Sequence, residues 1–278
     1  MEAVGGKSRA DQVSLLRTTW DHVAGRVKYL DLIAVLVKRE LKVKYRGSIL
    51  GYLWSMLNPL LFMAIISVVF SFLMRGIENY NLYVLSGILF WNMVTVSLNM
   101  GTSAIVRNSA LLQKVKVPTW IFPVVPAGLG ITNFALSLVP YTLVFLYSGR
   151  AMPEQLWMLP LLFVLTLVFI GGLSIGLSVL NVFFRDVSHV LEPLLTLTFY
   201  ATPIIYDRHA SAIPDSVRQL LLLNPFTHYV EAFRAAMFGG AYRVSASEFA
   251  LLTVMSLGSL LLGVLIYKTN RKKIIFHL

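Results

Sequence analysis

Long apolar runs separated by short polar breaks dominate the pattern of this chain. Crossing a hydrocarbon core about 30 Å thick takes roughly 20 apolar residues in a helix. Apolar runs of that order cover residues 52–73, 83–105, 121–147, 156–180, 190–206 and 249–267, uncharged except for Glu192 in the fifth, and each predicts a transmembrane helix. The fifth is the shortest, carries Glu192 near its start and contains Pro193 and Pro203, so a kink is expected there. A further stretch, 217–238, carries the Leu220 to Leu223 cluster, but Asn224 and Pro225 break it and Glu231 and Arg234 charge its second half. It reads as two short helices dipping into the outer leaflet, a re-entrant path that backbone takes only against protein or a water-filled cavity.

Ahead of the first run the period changes. Leu30, Ile33, Val37 and Leu41 recur at helical spacing, while Lys38, Arg39, Lys42 and Arg46 occupy another sector. This predicts an amphipathic helix on the inner membrane surface, serving either as an anchor or as a docking face for a cytoplasmic partner. Glu40 precedes Lys44 by four residues, the favourable orientation for an ion pair along the helix. The expected fold is thus an all-α integral membrane protein in three parts. Residues 1–50 form a cytoplasmic N-terminal segment with the interface helix, 51–268 a six-span transmembrane domain, and 269–278 a cytoplasmic tail.

Basic residues set the orientation, because loops rich in Lys and Arg stay on the cytoplasmic side. With both termini inside, 18 of the 24 Lys and Arg residues are cytoplasmic, and Arg75, Arg150, Arg208, Arg218, Arg234 and Arg243 are outside. A seventh crossing at 217–238 would carry Lys268, Arg271, Lys272 and Lys273 across, against that bias.

Composition agrees with a membrane solvent: 57% of the 278 residues are hydrophobic and only 13% charged, too little polar material to clothe a soluble globule of this size. A formal charge of +11 would point to nucleic acid in a soluble protein. Here the cations sit beside apolar runs, so their partners are anionic lipids or an acidic protein face, not nucleic acid. With no cysteine there is no disulfide, thiolate metal site or cysteine nucleophile. Residues 1–28 lack the short apolar core of a removable signal, so the first apolar run is expected in the mature protein. Gly6, Lys7 and Ser8 imitate the end of a phosphate-binding loop, but Met1 stands where its first glycine belongs and no strand precedes it. The histidines at 22, 189, 209, 228 and 277 are too scattered for a metal cluster. No chemistry is expected of this chain itself.

Gly172 and Gly176, with Ser174 and Ser178, give the fourth run a small-residue face, which serves packing within the chain or a dimer seam. Tyr52, Trp54, Trp91, Trp157 and Tyr206 fall near run ends, as an interfacial belt requires. Phe62, Phe70, Phe199 and Tyr200 lie nearer mid-span, where aromatic faces meet lipid, neighbouring helices or sugar rings.

The run from Lys38 to Pro59, KRELKVKYRGSILGYLWSMLNP, resembles the approach to the first span in polysaccharide-export permeases of the ATP-binding-cassette superfamily. Lys114, Val115, Pro118 and Phe122, the FFRD stretch from Phe183 to Asp186, Thr202 with Pro203, and Asn224 with Pro225 extend the resemblance over about residues 28–275. It implies export of O-antigen, teichoic-acid or capsular polymer on undecaprenyl diphosphate across the bacterial inner membrane. It further implies that two such permeases pair with two separate ATPase subunits, which hold the ATP and Mg²⁺, this chain holding no cofactor. ATPase contact is then expected at Lys38, Arg39, Lys42, Arg46, Lys114 and Lys116, and an outer gate at Asn224, Pro225, Glu231 and Arg234. In such permeases spans one and five line the conduit, making Phe62, Phe70, Phe199 and Tyr200 candidates by position.

Three rivals stay open at this point: a related permease for drugs or small lipids, a passive channel or ion-coupled transporter, and a membrane glycosyltransferase. The near absence of ionisable residues in the runs disfavours ion coupling. A glycosyltransferase normally needs a catalytic acid or base, and no paired acids stand at a plausible site.

Overall fold

In a computed structural model, the structure describes residues 29–72, 74, 76–114, 117–210, 213–239, 243–274 and 277. The phosphate-loop imitation at Gly6 to Ser8, the rest of 1–28, Val115 and Lys116 of the second loop and most of the last residues of the tail lie outside them. Every regular element described is helical. Residues 29–44 form α1, followed by α2 (Leu53–Phe70), α3 (Tyr80–Thr102), the short α4 (Ala104–Arg107) and α5 (Ser109–Leu112), and α6 (Ile121–Tyr147). A 3₁₀ turn (Leu156–Met158) leads into α7 (Leu159–Phe183), then come α8 (Asp186–Tyr200), α9 (Asp215–Leu222), α10 (Pro225–Met237) and α11 (Ala246–Ile274).

Among the described residues five helices are long and apolar enough to cross a membrane: α2, α3, α6, α7 with its leading turn, and α11. The fifth apolar run gives something shorter. α8 has 15 residues, about 22 Å at 1.5 Å per residue, short of the hydrocarbon thickness. Pro193 is carried inside the helix, and the chain leaves helical geometry after Tyr200. Pro203 explains the stop, since it lacks an N–H and disfavours helical backbone at Thr202.

α3 is the central post, buried along most of its length against α2, α6, α7, α8 and α10. Between helices in lipid there is no gain from removing water, so close packing and hydrogen bonds must hold the bundle. The tightest seam joins α7 to α11. A Cβ at Gly172 would lie 2.5 Å from the main-chain nitrogen of Leu260, so only glycine admits this approach. Across the same seam the Ser256 hydroxyl donates to the Leu165 carbonyl at 2.9 Å and the Ser259 hydroxyl to that of Phe169 at 2.7 Å. The small-residue face of the fourth run is therefore used within the chain.

α2 is attached differently. Pro59 brings no N–H to the Ser55 carbonyl one turn earlier, and that carbonyl instead accepts the Ser137 hydroxyl of α6 at 2.9 Å. The corner from α1 to α2 turns at Gly47 and Gly51, whose φ values of 75° and 49° are left-handed, and Ser48 Oγ accepts the Gly51 N–H at 3.1 Å. α1 itself rests on the bundle: Leu41 is buried, Val37 packs on Gly128, and the Tyr29 ring meets Trp120 edge-on at 6.2 Å. The expected pair along α1 gives way to one across helices, with Glu40 Oε2 3.9 Å from Arg107 of α4 and Lys44 Nζ 5.3 Å above the Tyr45 ring.

Candidate functional site

Three groups of the sequence-singled residues fall in three places. At the α1 end, Lys38, Arg39, Lys42 and Arg46 are exposed and border one open groove of about 780 Å³ together with Val35, Leu41, Val43 and Tyr52. An apolar floor under four cations suits a helix or loop with an acidic rim. Lys114 is exposed just beyond α5, and the Glu40–Arg107 contact ties α1 to the α4 segment that leads there. Lys116 lies outside the described residues.

The mid-span aromatics are brought together in part. Phe62 of α2 and Phe199 of α8 stand 6.1 Å apart between ring centroids, and Phe199 also meets Trp91 of α3 at 5.8 Å and Tyr200 at 5.3 Å. Phe199 is the buried seat of this cluster, whereas Phe62 and Tyr200 face out of the chain at 42% and 62% exposure. Phe70 is half-buried against the core, and no ring contact joins it to the cluster among the described residues. Trp91 belongs to the group structurally, although its sequence position matched an interfacial belt.

The third place is the break after α8, where non-helical residues 201–206 run through the protein with main-chain carbonyls to satisfy. Side chains from α3, α10 and the turn before α10 do so. Asn224 Nδ2 donates to the Ala201 carbonyl at 3.1 Å and to Thr202 Oγ1 at 2.9 Å. Arg234 Nη2 donates to the carbonyls of Pro203 and Ile204 at 2.9 and 3.2 Å. The hydroxyls of Tyr80 and Tyr83 reach those of Ile205 and Tyr206 at 2.7 and 2.8 Å.

Each partner is positioned by its own helix. Asn224 is the N-cap of α10, its Oδ1 accepting the Phe226 N–H at 3.0 Å, and Pro225 occupies the first turn, where no N–H is missed. Arg234 is 1% exposed, so this cation counted outside by the charge bias lies within the bundle. α10 carries it there on an aromatic pack in which Tyr229 stacks on Phe169 at 4.7 Å and Phe233 lies 5.3 Å from Phe90. α9, by contrast, buries only Leu221.

Ion pairs rim this end. Arg208 forks onto Glu231 through Nε and Nη2 at 2.8 and 3.0 Å, and that bond holds the guanidinium above its ordinary pKa. Arg243 pairs with Glu154 at 2.9 Å. Beside it the Gln155 amide makes two bonds to the main chain of Val244, accepting its N–H at 2.8 Å and donating to its carbonyl at 3.1 Å. No group of His, Asp and Glu able to hold a metal ion occurs among the described residues.

The chain thus presents a basic groove with an apolar floor at one end and an aromatic cluster with two exposed rings, Phe62 and Tyr200, along the bundle. Comparison with known proteins narrows it. The ABC-2 type transporter family model matches residues 31–238. The O-antigen export system permease protein RfbA of Myxococcus xanthus is 36% identical over 214 residues, covering 76% of this chain and 82% of that protein. A Klebsiella pneumoniae protein of the same name is 32% identical over 213 residues, covering 76% and 81%. The polysialic acid transport protein KpsM of Escherichia coli is 25% identical over 251 residues, covering 86% and 93%. Matched across most of its length, with five membrane-length helices and a basic α1 leading into the first of them, the chain belongs to the ABC-2 type transporter family.

Proposed function

We propose that this chain is the transmembrane subunit of an ATP-driven exporter that moves polysaccharide, carried on a polyprenyl diphosphate lipid, out of the bacterial cytoplasm. The observation that carries this reading is its 36% identity over 214 residues to an O-antigen export permease. In this reading α8 and the non-helical residues 201–206 together make the sixth crossing, both termini are cytoplasmic, and α9 with α10 forms a re-entrant outer gate.

Two copies work with two copies of a separate ATPase subunit, which binds ATP and Mg²⁺. Closure of the ATPases is received at the groove of Lys38, Arg39, Lys42 and Arg46 and at the loop bearing Lys114 and Lys116, and it moves α1 and the corner into α2. The α2 face holding Phe62 and the α8 face holding Tyr200 are uncovered within one chain, and the second copy encloses them as a conduit. Rings offer a sliding polymer an apolar surface that holds no single sugar strongly.

The test is export in cells whose own copy of the gene is replaced. Phe199→Ala and Tyr200→Ala are expected to lower surface polymer at least several-fold while the permease and ATPase still co-purify. Full surface polymer in cells lacking this chain altogether refutes the exporter reading.

A further inference from the structure

Between α1, α2, α3 and α6 lies a recess of about 380 Å³ whose lining is unlike the surrounding bundle, and its size is within the range of small-molecule sites. Lys44, Tyr45 and Ser48 stand at its α1 end, Ser55 and Asn58 come from α2, Asn92 from α3, and Asn133 and Ser137 from α6. Among the described residues no carboxylate lines it and none is within ion-pairing distance of Lys44. Asn133 is oriented by its oxygen, which accepts the Tyr45 hydroxyl at 3.2 Å. Its Nδ2 is buried without a partner among the described residues. A donor left unpaired at membrane depth is costly, and a ligand oxygen would satisfy it.

The neighbouring surface narrows the ligand. Asn58 lies one turn before Phe62 on the same face of α2, and Leu61, Ile65 and Val68 beside it leave an uncovered apolar ridge. A cation and amide donors without acids, set next to an apolar ridge, suit an anionic amphiphile. From this juxtaposition we infer that the recess binds the phosphate headgroup of a lipid, with Lys44 and the Asn133 amide holding phosphate oxygens and the lipid chain lying along α2. The inference rests on the exporter reading only for which lipid matters, since the transported carrier and ordinary anionic phospholipid share this chemistry.

The full-length chain in detergent is titrated with farnesyl diphosphate, with uncharged farnesol, and with dioleoylphosphatidylglycerol as competitor, following bound species by native mass spectrometry. The expected result is at least tenfold tighter binding of farnesyl diphosphate than of farnesol, reduced at least fivefold by Lys44→Gln and by Asn133→Asp. Asn92→Leu, at an exposed position, gives the same readout if Asn133→Asp fails to fold. Effective competition by the phospholipid identifies bulk lipid as the occupant, and weak competition identifies the diphosphate carrier. Equal binding of farnesol and its diphosphate, or undiminished binding by variants that melt like the parent, overturns the inference. Because binding is read without the ATPase, a negative result leaves the exporter reading standing, and a failed export test leaves the binding result standing.

Discussion

The Arg234 guanidinium lies 3.6 Å from the centroid of the Tyr83 ring while its Nη2 donates to the carbonyls of Pro203 and Ile204. One cation is thus stacked on α3 and bonded to the chain that follows α8. Arg234→Met keeps much of the volume but leaves both carbonyls short of a donor, at a cost of about 2–5 kcal/mol for lost bonds to a charged group. A clear fall in the thermal unfolding midpoint in detergent, with loss of export, is the expected outcome. Arg234→Lys is expected to recover only part, because an ammonium lacks the planar fork.

The Ser137 hydroxyl and the Ser55 carbonyl make a bond whose need arises from Pro59. Ser137→Ala is expected to destabilise by about 1–2 kcal/mol, since it orphans the carbonyl. In a Pro59→Ala background residue 59 regains an N–H for that carbonyl, so the same substitution should cost markedly less. Unfolding midpoints of the four proteins in this cycle check the coupling. Equal costs in both backgrounds would show that the two residues act separately.

Charge reversal at Lys42 or Lys114, both exposed, separates an anchor from a docking surface. Each basic residue contributes about 1 kcal/mol near an anionic leaflet, too little for one change to prevent insertion. Lys42→Glu and Lys114→Glu are expected to leave membrane abundance unchanged and to reduce ATPase co-purification at least tenfold. Unaltered pairing and export in both would assign these segments to anchoring alone.

Orientation is testable because the chain contains no cysteine. Ser245→Cys, just before α11, is expected to react with an impermeant thiol reagent on intact spheroplasts. Lys272→Cys, in the last turn of α11, should react only after lysis. Labelling of Lys272→Cys from outside inverts the assignment.

Long uncharged runs made α2, α3, α6, α7 and α11 legible from the sequence, because length and apolarity alone identify a membrane-length helix. The run at 190–206 was legible only as apolar, and its helix stops at Tyr200 because of backbone geometry near Pro203. Arg234 was legible as an outer charge of the re-entrant segment but not as the donor to residues 203 and 204, since the carbonyls that receive it lie 31 and 30 residues away and meet it only in the fold. Glu40 offered a local partner in Lys44 and turned to Arg107, for local spacing carries no information about a helix packed alongside. The basic residues of α1 were found together because one helix face assembles them without tertiary contacts. Asn133 and Ser137 gave no such signal, as isolated polar residues within an apolar run.

The Gln155 amide copies the two-bond pairing of a β-ladder with Val244, so the start of α7 and the approach to α11 are pinned at one end while Gly172 holds their axes together midway. Two fastening points on neighbouring rods remove both sliding and scissoring, and α7 with α11 becomes a stiff mast. In the exporter reading, a stroke entering through α1 then falls on what lies outside the mast, first on α2, which the Ser137 hydroxyl ties to α6 at the Ser55 carbonyl that Pro59 leaves without its helical donor.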